Sequence, residues 1–479
     1  MSILCKLKKY LEIVRKCYIV AFITYLLLSR VVMFVNIITL PVNSLIYNMF
    51  AFVGIAILVW DFFTNFYQFK SIENIMLVLF MIVCLISSVI NIKYGIANNF
   101  KTMVWMCIQF FILFSSLHVK DKKYIQSMFN VIMKITTFIW FITSLISLAQ
   151  FFFVIQYKAP FSGYPRRQGF VDNRLFGVYS DPNFAAVTSI VVIIFAVFLC
   201  KRAKSKKTKI FHILNIIVQV MYIILSGSRT GHIELVMIAG MLAVVLVRNR
   251  GIDKESRFIN IKAITAAISA MIVIIVGIKV LPPQLIEIAK SGNEIKNEFF
   301  ADSQKPVTDN NNDEQVDENQ DKVEIKLERE DLKEDNISNN RFKIWASAVE
   351  ISKENRLFGV SPRNMIAYAK ATHPDSYIAT TEYETHNGYV AIFVYTGVAG
   401  TLVVMSLVIY LVWIFICYLK RMLNVVYSDE IIISTFVCIV IAASSVMLLD
   451  VFFVNTVSAA LFWFSAGCFV YLTKNENKK

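Results

Sequence analysis

Long apolar runs, parted by short polar stretches, make up most of this chain. Runs of roughly 18 to 25 apolar residues have the length at which an α-helix crosses the hydrocarbon core of a bilayer. About twelve such spans are predicted, at 18–42, 44–62, 73–91, 102–118, 127–157, 183–200, 210–226, 231–247, 263–281, 388–419, 431–449 and 454–473. Two are longer than one crossing needs, so a tilt or an interfacial turn is expected near 127–134 and 410–419. The pattern predicts an all-α integral membrane protein.

The polar stretches set the orientation. KLKKYLEIVRK, TNFYQFKS, VKDKK, KRAKSKKTK, RNRGIDKESRFINIK, KRMLN and KNENKK alternate with far less basic ones, and positive loops stay in the cytoplasm. Both termini are therefore expected inside. The outer face then receives the loop 158–182, the turn 226–230 and the long stretch from Pro282 to His386. The chain divides into a bundle of about nine spans (1–281), this large loop (282–386) and a second bundle of about three spans (387–479). Residues 301–338 of the loop are acidic, polar and nearly free of aromatics, a composition that cannot offset chain entropy by burial and predicts disorder. Order is expected to return in an amphipathic helix near 340–354. Ser338, Asn339 or Asn340 can cap it, and Arg341, Ile344, Trp345 and Ala348 recur at helical spacing. Arg341 and Trp345 share one face.

Composition sharpens the class. Of 479 residues, 57% are hydrophobic and only 17% charged, below the quarter usual in soluble domains. The net charge of +14 is explained by cytoplasmic loops, so no nucleic-acid partner is implied. The N-terminal basic cluster leads into a full span, so no cleavable signal peptide is expected, and the location is the cell membrane. None of the eight cysteines has CxxC spacing, which speaks against a zinc site or a disulfide framework.

The candidate chemistry lies at the expected outer rim. Arg229 sits in the turn SGSRT between two apolar runs, where non-helical backbone is tolerated only if it lines a cavity. A guanidinium stays charged and offers a fork of donors that fits phosphate oxygens. An outer-leaflet pyrophosphate is its natural partner, with snorkelling to headgroups the bland alternative. Of five histidines, His118, His212 and His373 read as structural or surface residues. His232, one turn beyond Arg229, could support it. His386 stands beside Asn387 and Gly388 where the loop re-enters the membrane, and an imidazole there can take a proton near neutral pH. Its alternative role is an interfacial helix cap. The sequence holds no D-x-D pair, H-E-x-x-H or Cys/His cluster, so neutralisation of a leaving group by arginine is favoured over a metal.

Four motifs in order carry a resemblance: RLFGVYSDPNFAA (174–186), SGSRTGHIEL (226–235), RFKIWASAVEISKENRLFGVSPRNM (341–365) and THNGYVAIFVYTGVAG (385–400). From about 170 to 450 the chain resembles the O-antigen ligase and polysaccharide polymerase family. The resemblance implies a multi-pass glycosyltransferase of the GT-C type, metal-independent, inverting and without a cofactor. Such enzymes move a glycan from undecaprenyl pyrophosphate to an acceptor sugar. It further implies that Arg229 and Arg341 bind the pyrophosphate, with Arg174 assisting, and that His386 is the catalytic base. Asn183, His232, Trp345 and Asn387 fall in the same motifs as supporting residues. The acidic insertion before Arg341 departs from the family pattern.

The expected function is joining of undecaprenyl-pyrophosphate-linked repeat units into a capsular, exo- or O-antigen polysaccharide. The Lys-, Asn- and Ile-heavy usage points weakly that way. The growing glycan would be the acceptor, and a flippase and a chain-length regulator would act in the same pathway. The alternative is a ligase that delivers the glycan to lipid A core or another acceptor. A flippase for the same lipid-linked unit is a further alternative, but no internal repeat or midplane charge pattern supports it. A membrane sensor lacks a cytoplasmic output domain.

Overall fold

In the computed structural model, residues 3–161, 164–248, 261–301, 340–422 and 428–476 are described. The acidic stretch at 302–339, with the Ser338 and Asn339 caps, lies outside them. Sixteen helices occur among the described residues. Helices α1 (Ile3–Leu28), α2 (Val32–Ile37), α3 (Leu40–Thr64), α4 (Ile72–Ile90) and α5 (Ala97–Cys107) come first, and α5 continues into a buried π-helical turn, Ile108–Phe114. After α6 (Lys122–Phe152) come α7 (Pro182–Arg202), α8 (Lys206–Leu225), α9 (Arg229–Arg248) and α10 (Ile261–Ala301). The rest are α11 (Arg341–Ile351), α12 (Met365–Thr372), α13 (Tyr377–Thr381), α14 (Gly388–Met422), α15 (Asp429–Ser444) and α16 (Val457–Glu476).

Among the described residues, ten helices are long and apolar enough to cross a membrane. Two expected spans fall outside that group. Helix α15 has 16 residues, and α1 carries Glu12, Arg15 and Lys16 within its last 18. The run 18–42 is not one helix: α1 ends at Leu28 and a turn at Ser29–Arg30 turns the chain into α2. Arg15 is buried because it pairs with buried Asp61 of α3.

The fold is mostly helical, consistent with the expected all-α class, with one small addition. Strands β1 (Gln156–Phe161), β2 (Tyr164–Val171) and β3 (Arg174–Gly177) form an antiparallel sheet between α6 and α7. The ladder runs from Gln156 opposite Gly169 to Phe161 opposite Tyr164. It claims Gln156 and Tyr157, which is why α6 stops at Phe152 and not at 157 as the hydropathy suggested.

Helices α7 and α16 form the centre. Of their apolar stretches, 78% and 89% are buried inside the protein, against 11% for α3 and none for α10. Helices α7 and α10 share a mean hydropathy of 2.5. Lipid tails and protein interiors are equally apolar, so hydropathy alone cannot tell a central helix from a peripheral one. Polar contacts fix the centre instead. Trp140 Nε1 donates to Ser189 Oγ (3.0 Å), Thr143 Oγ1 and Tyr179 OH are hydrogen-bonded (2.7 Å), and Asn215 Nδ2 donates to the Thr137 carbonyl (3.0 Å). Tyr179, stacked on Trp140 at 4.5 Å, thereby anchors the connection from β3 to α7.

Candidate active site

Several connections meet at one end of the bundle: β3 to α7, α8 to α9, the approach to α14, and α15 to α16. At the first, Asp181 caps α7, its Oδ1 accepting from the amides of Asn183 (2.7 Å) and Phe184 (3.1 Å), with Pro182 at the first helical position. A carboxylate oxygen at this place satisfies amides that have no helical partner. Arg174 on β3 donates from Nε to the Ser226 carbonyl (2.9 Å) and from Nη2 to Asn183 Oδ1 (2.7 Å). It ties the sheet to α7 and to the turn that opens α9.

That turn is folded by its serines. Ser228 Oγ accepts from the Gly231 amide (3.2 Å), and Ser226 Oγ accepts from the Ser228 amide (3.2 Å). Arg229 follows as the first residue of α9 and is half-buried. His232 stands one turn on with the carbonyls of Ile223 and Ile224 near its ring, while Nε2 is buried and has no hydrogen-bond partner among the described residues. It lies within electrostatic reach of Arg174.

Arg341 begins α11, and Trp345 one turn later donates from Nε1 to the Thr385 carbonyl (2.8 Å). This contact pins the segment that carries His386. Asn340 occupies the capping position with φ +60° and no side-chain cap bond, so of the three expected caps the one described does not act as one. Asn387 does: its Oδ1 accepts from the amides of Tyr389 (2.9 Å) and Val390 (3.0 Å). His386, just before it, has φ +47°, a left-handed conformation that few side chains adopt. The capping alternative for His386 thus passes to its neighbour, and the imidazole is left to face the cavity.

His386 is drawn below the usual histidine range, first by burial and next by the charge of Arg341, with Glu384 and Asp181 acting the other way. Arg341, Glu384 and Asp181 therefore lie within electrostatic reach of the imidazole. The residues expected from the sequence form two groups: Arg174, Asn183, Arg229 and His232 around the α8–α9 turn, and Arg341, Trp345, His386 and Asn387 around the start of α14. Asp181, which caps α7 beside Asn183, lies within electrostatic reach of His386.

His386 also borders a cavity of about 160 Å³ whose walls include Arg30, Phe184, Arg363, Glu384 and Asp450. None of these five stands out in the sequence. Folding brings them together. Arg30 lies over the Phe184 ring at 5.5 Å, and Arg363 Nη1 faces Glu384 Oε1 at 3.7 Å. Tyr395 OH donates to Glu384 Oε2 (2.7 Å). Asp450 Oδ1 accepts from the amides of Phe452 (2.8 Å) and Phe453 (2.9 Å), and burial raises its pKa to about 6. The one signal in the sequence is a carboxylate set against apolar neighbours in LLDVFFV. Among the described residues, no three His, Cys, Asp or Glu side chains converge as a metal site would require.

Residues 213–405 match a family model described as O-antigen ligase. The match runs from α8 into α14 and takes in Arg229, His232, Arg341, Trp345, His386 and Asn387. It leaves Arg174, Asn183 and Asp450 outside. No curated protein matches the chain.

Proposed function

From the match of residues 213–405 to the O-antigen ligase family model, we propose that this multi-pass membrane protein transfers a glycan from a polyprenyl pyrophosphate to a sugar hydroxyl on the outer face of the membrane. In this mechanism Arg229 and Arg341 hold the pyrophosphate and neutralise the charge that grows on it. Arg174 keeps the turn bearing Arg229 in place. His386 takes the proton of the attacking hydroxyl while its oxygen bonds to the anomeric carbon and the bond to pyrophosphate breaks, with inversion. The leaving group is a weak base and needs no general acid. A flippase and a chain-length regulator of the same pathway are proposed partners.

The observation that carries this reading is electrostatic. Burial and the nearby Arg341 charge both favour the neutral imidazole, the form that can accept a proton at pH 7. Arg229→Ala, Arg341→Ala and His386→Ala are each expected to abolish glycan transfer while the protein still inserts. A variant with all three changes that transfers at the normal rate would end the site assignment.

Two acceptors suit this chemistry. The description of the matched family favours a ligase, which places the glycan on a terminal sugar of another molecule. Polymerisation uses the same donor and takes a second lipid-linked unit as acceptor. Membranes supplied with the repeat-unit donor alone separate the two: long lipid-linked chains mean a polymerase, and unchanged donor means a ligase.

A further inference from the structure

The cavity beside His386 has walls that a pyrophosphate would not select. Two carboxylates, Glu384 and Asp450, line it and offset the charges of Arg30 and Arg363, whereas Arg174, Arg229 and Arg341 do not line it. With its wall charges balanced, the cavity offers a multiply charged anion no net attraction. A neutral polyhydroxylated ring would meet acceptors, donors and apolar faces. At about 160 Å³ the space is well below the roughly 300–1,000 Å³ of drug-sized pockets, and so suits one sugar ring better than an oligosaccharide.

The acceptors are already held in place. Asp450 Oδ1 is taken by the amides of Phe452 and Phe453, and no hydrogen bond reaches its Oδ2 among the described residues. Glu384 is held by Tyr395 at one oxygen and faces Arg363 at the other. Arg363 is in turn positioned through its own amide, which donates to Asn99 Oδ1 on α5 (2.9 Å). Groups fixed in this way lose little freedom when a ligand binds.

We propose that this cavity is the acceptor subsite, seating one pyranose ring whose hydroxyls donate to Asp450 Oδ2 and Glu384 and accept from Arg363, with Phe453 against its apolar face. The assignment rests on the transfer reaction proposed above: a ring seated here brings a hydroxyl to His386, which lines the same cavity. Donor and acceptor are then recognised by different surfaces, arginines alone for the pyrophosphate and a balanced set of carboxylates and arginine for the sugar.

The test uses the full chain in lipid nanodiscs and two probes. One is undecaprenyl pyrophosphate. The other is the acceptor oligosaccharide, released by mild acid from the cell's own lipid-linked precursor for a polymerase or from its lipid A core for a ligase. Asp450→Asn keeps the Oδ1 acceptor that the loop amides need and replaces only Oδ2 by a donor. It is expected to weaken oligosaccharide binding at least tenfold and to leave undecaprenyl pyrophosphate within twofold. Glu384→Gln should act in the same direction, and Arg229→Ala in the opposite one. Oligosaccharide affinity within twofold of wild type in both carboxylate variants overturns the subsite, as does a wild type that binds undecaprenyl pyrophosphate but not the oligosaccharide. A wild type that binds the oligosaccharide but not undecaprenyl pyrophosphate overturns the proposed donor and leaves the subsite supported.

Discussion

His386 and Arg341 are coupled by charge, and the coupling can be measured. Arg341 lowers the His386 pKa, so its removal lets the imidazolium persist to higher pH. In Arg341→Gln, the residual transfer rate is expected to rise with pH along a limb displaced upward from that of wild type. An undisplaced limb would mean that the rate does not report His386. Asp450 gives a second residue-level expectation, of stability rather than rate. Its carboxyl titrates at 3.8 when unperturbed and at about 6 in the folded protein. Between those values the folded state holds the proton more tightly, so stability is highest below 3.8 and falls as the pH rises through about 6. Asp450→Asn cannot ionise and is expected to raise the Tm at pH 8 while leaving it unchanged at pH 4. Equal Tm differences at both pH values would contradict the burial argument. A binding carboxylate that weakens the fold is the kind of trade in which function is favoured over stability.

At the scale of elements, the start of α14 is held by a clamp that the motif RLFGVSPRN builds. Helix α14 is broken at Gly397 (φ +62°), and the freed backbone groups are taken by the segment before α12. The amides of Val360 and Ser361 donate to the carbonyls of Val394 (2.9 Å) and Tyr395 (3.1 Å), while those of Val398 and Ala399 donate to Arg356 (2.8 Å) and Leu357 (3.0 Å). A Cβ on Gly397 would stand 2.5 Å from the Leu357 carbonyl oxygen, and one on Gly359 equally close to that of Val394. Gly397→Ala combines a left-handed backbone, at about 1–2 kcal/mol, with an overlap of about 1–3 kcal/mol. It is expected to lower the Tm by several degrees and the transfer rate with it. A Tm unchanged in Gly397→Ala would show that the break is not fixed by the clamp. Trp345→Phe keeps an aromatic ring but gives up the bond to the Thr385 carbonyl together with the pyrrole part of the indole. Its expected effect is a lower kcat with the Tm nearly unchanged, because that bond holds His386 and not the bundle.

Across the whole molecule, what the sequence revealed and what it hid have one physical origin. Helices facing lipid or packed in the centre both need apolar residues, so the spans were legible while their burial was not, as the pair α7 and α10 demonstrates. The sheet was hidden because the stretch 156–177 shows no long alternation, and its ladder forms only once α6 and α7 hold its ends. Arg229, Arg341 and His386 stood out because a charge or an imidazole at a membrane rim is costly unless it has a purpose. Glu384 and Asp450 did not, because 66 residues of chain part them and only the packing of α14 and α16 joins them at one cavity. The orientation rests on the basic loops, among which Lys201 and Arg202 pair with Asp429, and Arg202 also with Glu430, at the end opposite His386. In a variant with all eight cysteines replaced, Ser376→Cys should react with an impermeant maleimide added outside intact cells, and Ser205→Cys should not. The reverse pattern would put the site on the cytoplasmic face.

The central claim is that a neutral His386 removes the acceptor proton beside a pyrophosphate held by arginines. Single-turnover transfer from an undecaprenyl-pyrophosphate-linked glycan at pH 7.5, with donor binding measured in the same nanodiscs, tests it most directly in His386→Asn. Asparagine tolerates the left-handed backbone and cannot serve as a base. The expected result is a rate lower by about 10²–10⁴ with donor affinity within twofold of wild type. Transfer at the wild-type rate would contradict the account.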